Sequence, residues 1–146
     1  MYLLDTNYCS RVILGDAVAL SQLRSIDADE LATSTVVRGE LIYMAEKSEQ
    51  QARNLAFVHA FLQRFHSYVV GSETADIYGK LKADLMRHFG PREKNKRSKI
   101  TLQQLGFSDN DLWIAATALQ HGLVVVSSDS DFQRMQEVRT FPIEAW

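Results

Sequence analysis

The chain has 146 residues, 46% of them hydrophobic and 23% charged, with a formal net charge of −2. This length suits one domain with one core, spanning residues 1–146, and the composition excludes a disordered or fibrous chain. No apolar run approaches the roughly 20 residues of a membrane-spanning helix. Cys9 is the only cysteine, which rules out an intrachain disulfide and points to a reducing cytoplasm. The four histidines, His59, His66, His88 and His121, have no zinc-like spacing with it.

In chain order, Tyr2-Leu3-Leu4 reads as a short buried strand, too short for a leader or anchor, that stops at Asp5. A short helix follows and closes near Gly15, and "AVALSQLRSI" has the spacing of a second helix. "ELATSTVV" predicts a strand leading into a helix from about Val37 that continues through "GELIYMAEK". In that helix Val37, Leu41 and Met44 form the apolar stripe, with Glu40 at its edge. "QQARNLAFVHAFLQRF" predicts another amphipathic helix and "SYVVG" a strand ended by glycine. "ETADIYGKLKADLMRHFG" is a long helix closed by Gly90 and Pro91. A basic loop and a short turn or helix in "ITLQQLGF" precede the helix "SDNDLWIAATALQHG". "LVVVSS" is continuously apolar, as expected of a central parallel strand. "DSDFQRM" opens a last short helix, and "VRTFPIEAW" holds a terminal strand broken by Pro142. Alternating strands and helices predict a three-layer α/β domain around a mainly parallel sheet.

Four carboxylates stand out from this frame. Asp5 and Asp129 each end an apolar strand, where ligands bind in open α/β sheets. Asp111 opens the helix whose inward face is Ile114, Ala115, Ala118 and Leu119, and Glu40 borders a buried stripe. Each has an ordinary explanation as well. Asp5 and Asp129 suit N-caps, Asp111 suits the N3 position behind Ser108, and Glu40 can snorkel to solvent. Together, four acids on one rim repel one another unless a positive species sits among them. A hard divalent cation, Mg²⁺ or Mn²⁺, is the natural neutraliser of an all-oxygen donor set. Base is concentrated elsewhere, in "PREKNKRSK" at residues 91–99, where Arg92, Lys94, Lys96, Arg97 and Lys99 face only Glu93. That segment reads either as a phosphate-binding loop or as a solvated connector. Arg11, Arg53 and Arg64 are secondary candidates for phosphate contact, and Trp113 for base stacking or for filling a core or dimer contact.

"LLDTN", the acid in "VVRGEL", "DLWIAATAL" and "VVVSSDSDF", in this order, resemble the PIN-domain ribonucleases, and most of all the VapC toxins of bacterial toxin–antitoxin pairs. The resemblance covers nearly the whole chain. It implies that Asp5, Glu40 and Asp111 form a metal site, with Asp5 and Asp111 as main ligands and Asp129 assisting as the fourth acid. Asp131 competes for that last position. Thr6 and Asn7 match a polar pair that orients the first acid, and Ser127 matches a hydroxyl residue before the fourth. The stretch from Gly90 to Phe107 is longer and more basic than the tight link expected there.

The activity implied is Mg²⁺- or Mn²⁺-assisted hydrolysis of RNA phosphodiester bonds. The implied partners are an RNA substrate, a separate VapB-like antitoxin that shields the acidic rim with an arginine, and a second copy of the chain in a homodimer. No Ser-His-Asp set or glycine-rich phosphate loop offers a different chemistry. Two other readings stand beside it. One is a non-catalytic PIN-like binding module, which has no need of mutually repelling acids. The other is an aspartyl-nucleophile phosphatase, which resembles an Asp-x-Asp pair where this chain has Asp5 and Asn7.

Overall fold

The most apolar strands lie at the centre of the sheet. The computed structural model describes residues 1–146 and contains one sheet of five strands, in the order β3-β2-β1-β4-β5. The strands are β1 (Tyr2–Leu4), β2 (Leu31–Ser34), β3 (His66–Tyr68), β4 (Val124–Val126) and β5 (Ile143–Glu144). Every pairing is parallel, with Leu3 opposite Ala32 on one side and Val125 on the other. Eight helices flank them: α1 (Thr6–Ile13), α2 (Ala17–Arg24), α3 (Thr35–Glu46), α4 (Gln51–Leu62), α5 (Ser72–Phe89), α6 (Lys94–Arg97), α7 (Asp109–His121) and α8 (Ser130–Met135). No helix is long and apolar enough to cross a membrane.

Leu3, Leu4, Val125 and Val126 are fully buried, so β1 and β4 carry side chains into apolar surroundings on both faces. Helix α5 packs along α7, and α3 along α4. Ala115, Ala116 and Ala118 are all buried, which lets α7 approach its neighbours closely. The left-handed Gly122 (φ 64°) stops α7 and turns the chain into β4.

Four elements depart from the sequence expectations. Helix α3 starts at Thr35, two residues early, because the Ser34 hydroxyl caps it by accepting the Val37 N–H at 3.3 Å. Its buried stripe is Val37, Leu41 and Ala45, with Met44 turned outward. Strand β3 covers His66–Tyr68 rather than "SYVVG", since pairing with β2 ends at Tyr68 and Val69 is 70% exposed. The basic segment is no open loop. Lys94–Arg97 form α6, and Arg97 folds back to donate to the carbonyls of Pro91 and Arg92 at 3.3 and 3.2 Å. Strand β5 is only two residues long and follows Pro142, whose carbonyl accepts the Val125 N–H at 2.9 Å.

Candidate active site

The strand order places β1 between β2 and β4, so the chain leaves neighbouring strands in opposite directions. The C-terminal rim at such a switch point opens a crevice in α/β sheets. Asp5 lies on that rim at the end of β1, α3 starts directly after β2, and Ser127 and Asp129 follow β4. Asp111 reaches the same rim from the first turn of α7.

Asp5 is 2% exposed and caps α1, accepting the Tyr8 N–H at 2.7 Å. Capping and rim placement are therefore the same fact, not rival explanations. Burial pushes its carboxyl above the usual range, although hydrogen bonds from the Ser127 hydroxyl and Tyr8 amide oppose the rise. Repulsion from Asp129 and Glu40 adds to it. Asp111 is pushed up to about 7, chiefly by burial, then by the charges of Asp129, Asp5, Glu40 and Asp131. No lysine or arginine side chain offsets this rise.

The carboxylates of Asp111, Asp129 and Asp131 offer oxygens that all lie within 4.8 Å of one another. Asp129 caps α8, accepting the Asp131 N–H at 2.9 Å, and its own amide donates to Ser127 Oγ at 3.0 Å. Ser127 thus ties the strand-end acid Asp129 to Asp5. Asp131 shares its charge with Arg134, 3.3 Å away. Arg134 in turn donates to the Leu105 carbonyl at 2.8 Å and lies over the rings of Phe107 and Phe89. Both Asp129 and Asp131 belong to the cluster, so the choice between them is not exclusive. The donor set is all hard oxygen and carries excess negative charge, which suits a hard divalent cation.

Glu40 is half-buried and engaged at both oxygens. It accepts from the Thr6 hydroxyl and from the Asn110 side-chain amide, the latter at 2.7 Å. Asn110 carries no signal in the sequence, because a helix-opening Asn beside Ser108 looks like ordinary capping chemistry. Asn7 is exposed at the mouth. Asp5, Thr6, Asn7, Glu40, Asn110 and Asp111 line one cleft of about 820 Å³.

The cations are placed differently from expectation. None of Arg92, Lys94, Lys96, Arg97 or Lys99 lines that cleft; its only Lys or Arg is Lys47. Lys94 and Arg97 instead border a separate hollow with Met86 and Arg87 of α5. Lys96 pairs with Glu93 at 3.1 Å. Arg11 stands beside Asp129 in an adjoining hollow but is held by Asp16 and the Trp146 carbonyl. Arg53 lies over Phe57 and Arg64 over Phe65, both outside the cleft. Trp113 does line the cleft, with its ring stacked on Tyr78 at 3.8 Å and 6°.

Comparison with known proteins agrees with this geometry. The PIN domain family model matches residues 2–138. The chain is 31% identical over 140 residues to ribonuclease VapC2 of Haemophilus influenzae, covering 95% of each chain. It is 30% identical over 146 residues to the tRNA(fMet)-specific endonuclease VapC of Salmonella typhimurium, covering 99% of this chain and 97% of that one. The crystal structure of DNA-bound VapBC from Salmonella typhimurium superposes with a TM-score of 0.79 at 29% identity, over 99% of this chain and 97% of that one. Family match, close relatives and the acidic rim at the switch point lead to one conclusion: the chain belongs to the PIN-domain family.

Proposed function

We propose that this chain is a divalent-cation-dependent ribonuclease, acting as the toxin of a toxin–antitoxin pair. The observation that carries the reading is the convergence of Asp111, Asp129 and Asp131 within 4.8 Å on a rim that also holds buried Asp5 and half-buried Glu40. Relatives named ribonuclease or endonuclease VapC, and a neighbour solved as a VapBC complex, support it.

Asp5 and Asp111 would be the main ligands for Mg²⁺ or Mn²⁺, with Asp129 assisting and Asp131 beside it in the cluster. The bound cation would lower the pKa of coordinated water, polarise the phosphate and offset charge on the leaving oxygen. The protein's part is to hold its oxygens ready. The Tyr8 amide and Ser127 hydroxyl fix Asp5, and the start of α8 fixes Asp129. Thr6 and Asn110 immobilise Glu40, which sets the position of a water or proton at the cleft wall. Asn7, at the mouth, faces the incoming substrate.

Arg92, Lys94, Lys96, Arg97 and Lys99 act as a peripheral positive surface that attracts RNA rather than as ligands inside the cleft. An antitoxin of the VapB kind covers the acidic rim, with an arginine to satisfy the unpaired carboxylates, and the chain works as a homodimer. A non-catalytic module gains nothing from crowding half-buried Asp111 against Asp129 and Asp131. Sequencing RNA ends after brief expression of the chain without a partner tests the proposal. Discrete new ends carrying 5′-phosphates are expected; an unchanged set of ends contradicts it, and cyclic phosphates contradict hydrolysis by water.

A further inference from the structure

Helix α3 has two working faces. Val37, Leu41 and Ala45 are buried in the core, whereas Val36, Gly39, Glu40, Tyr43, Met44 and Lys47 recur at three- and four-residue spacing and line the acidic cleft. One stripe therefore runs from Glu40 at the acid cluster to Lys47, seven residues or about 10 Å along the axis. Tyr43 lies midway, and its side chain is one of the most exposed large rings of the molecule, at 64%. The Lys47 ammonium is 4.9 Å from the ring centroid.

A single exposed aromatic is unremarkable on a surface. This one shares a cleft with the acidic rim residues Asp5, Glu40 and Asp111 and with the cleft's only lysine. The cleft's other large ring, Trp113, already has a face covered by Tyr78, whose hydroxyl donates to Asp109 beside Lys82. No other aromatic side chain stacks on Tyr43. An acidic cluster repels the phosphates on either side of a reacting bond, so a substrate strand needs apolar and cationic footing just outside it. Tyr43 and Lys47 supply one of each, on the helix that also carries Glu40.

We infer that Tyr43 and Lys47 form a nucleotide-binding subsite, in which an unpaired base of single-stranded RNA stacks on the Tyr43 ring while Lys47 contacts its phosphate. The inference rests on the nuclease reading for the identity of the strand and deepens it by assigning the strand's path along α3. Stacking needs a base free of its duplex partner, so the subsite selects single strands over duplex. Base–aromatic stacking tolerates any base, so it sets strandedness and register rather than sequence.

Two measurements on the full chain test this. Binding of a short labelled RNA, single-stranded or in duplex, is followed by fluorescence anisotropy in EDTA, and steady-state cleavage is followed with Mg²⁺. Tyr43→Ala is expected to raise the single-strand Kd at least about fivefold, the low end for one base stack. Tyr43→Phe keeps the ring and is expected to restore the affinity. Lys47→Gln is expected to lower the salt slope of binding by roughly 0.7, the value for one neutralised phosphate. In cleavage, both disruptive variants raise KM more than they lower kcat. Wild-type protein that binds single strands without cutting them overturns the nuclease reading alone, and the variants still decide the subsite. Unchanged single-strand affinity in Tyr43→Ala overturns the subsite, as does absence of single-strand binding by the wild type. Loss of dimer mass in Tyr43→Ala with unchanged RNA affinity also overturns it and assigns this face to a second copy of the chain.

Discussion

The Asn110 side-chain amide donates a 2.7 Å hydrogen bond to Glu40 across the cleft, joining two residues 70 positions apart in sequence. With the Thr6 hydroxyl on the other oxygen, the Glu40 carboxylate is clamped between the first turns of α1 and α7. Asn110→Ala frees one oxygen while leaving it accessible to water from the cleft. The fold should lose no more than about 1 kcal/mol, a typical net hydrogen bond. Cleavage should fall about tenfold, the effect of a roughly 1.4 kcal/mol loss in the transition state. Thermal unfolding and single-turnover rates check the two parts, and an unchanged rate would show that the clamp has no part in the chemistry.

Asp5 caps α1 and, in the proposed function, also holds the cation, and substitution separates the two. Asp5→Asn keeps an oxygen for the Tyr8 N–H and removes a buried charge, so stability should be equal or higher while metal binding is lost. Asp5→Ala also loses the cap and should cost about 1 kcal/mol more than Asp5→Asn. Denaturant titration of the two variants, with Mn²⁺ binding by calorimetry, reads both effects. Equal stability of the two would mean that the cap contributes nothing.

Asp111 makes metal-free stability depend on pH. Its folded pKa of about 7 lies above the ordinary carboxyl value of 3.8 that the unfolded chain keeps. Between these values the folded state binds more protons than the unfolded state, so stability falls as pH rises from about 4 to 7. Below about 4 both states are protonated and the penalty vanishes. Asp111→Asn should flatten that slope, and so should saturating Mg²⁺, since the cation favours the ionised carboxylate. A metal-free wild type whose stability rises steadily across this window would contradict the placement of Asp111 in an unneutralised cluster.

The basic segment offers a different measurement. Lys94 and Lys99 make no hydrogen bond to an acid, whereas Lys96 is paired with Glu93 and Arg97 pins its own loop. Replacing Lys94 and Lys99 by Gln should lower the salt slope of RNA binding by roughly 0.7 for each phosphate no longer neutralised. Cleavage at saturating RNA should change little, because the segment stands outside the cleft. An unchanged slope would identify it as a solvated connector.

The acids are legible in the sequence because two of them interrupt apolar strands and one opens a helix with a buried alanine face. Their register follows from local chemistry: strand, carboxylate cap, helix. The cations are not legible. A run of five basic residues advertises itself, yet α6 and the backbone carbonyls of Pro91 and Arg92 direct Arg97 away from the rim. Lys47, set between Glu46 and Glu49, reads as an ordinary solvated charge, and only the helical phase of α3 brings it into the cleft. Placing Met44 rather than Ala45 on the buried stripe is the same phase error. It hides the cleft-facing side of the helix and with it Tyr43. Asn110 is invisible because its partner is fixed only when α3 and α7 pack.

An acid cluster built on Asp111 that holds a divalent cation used to cut RNA is the central claim. Its most direct test is cleavage of a labelled single-stranded RNA by purified chain, freed of any partner, in EDTA and after adding Mg²⁺ or Mn²⁺, for wild type and Asp111→Asn. Wild type should be silent in EDTA and restored by either cation, with products bearing 5′-phosphates. Asp111→Asn should stay silent throughout while unfolding at or above the wild-type temperature. Metal-independent cleavage, or full activity in a folded Asp111→Asn chain, would contradict the account.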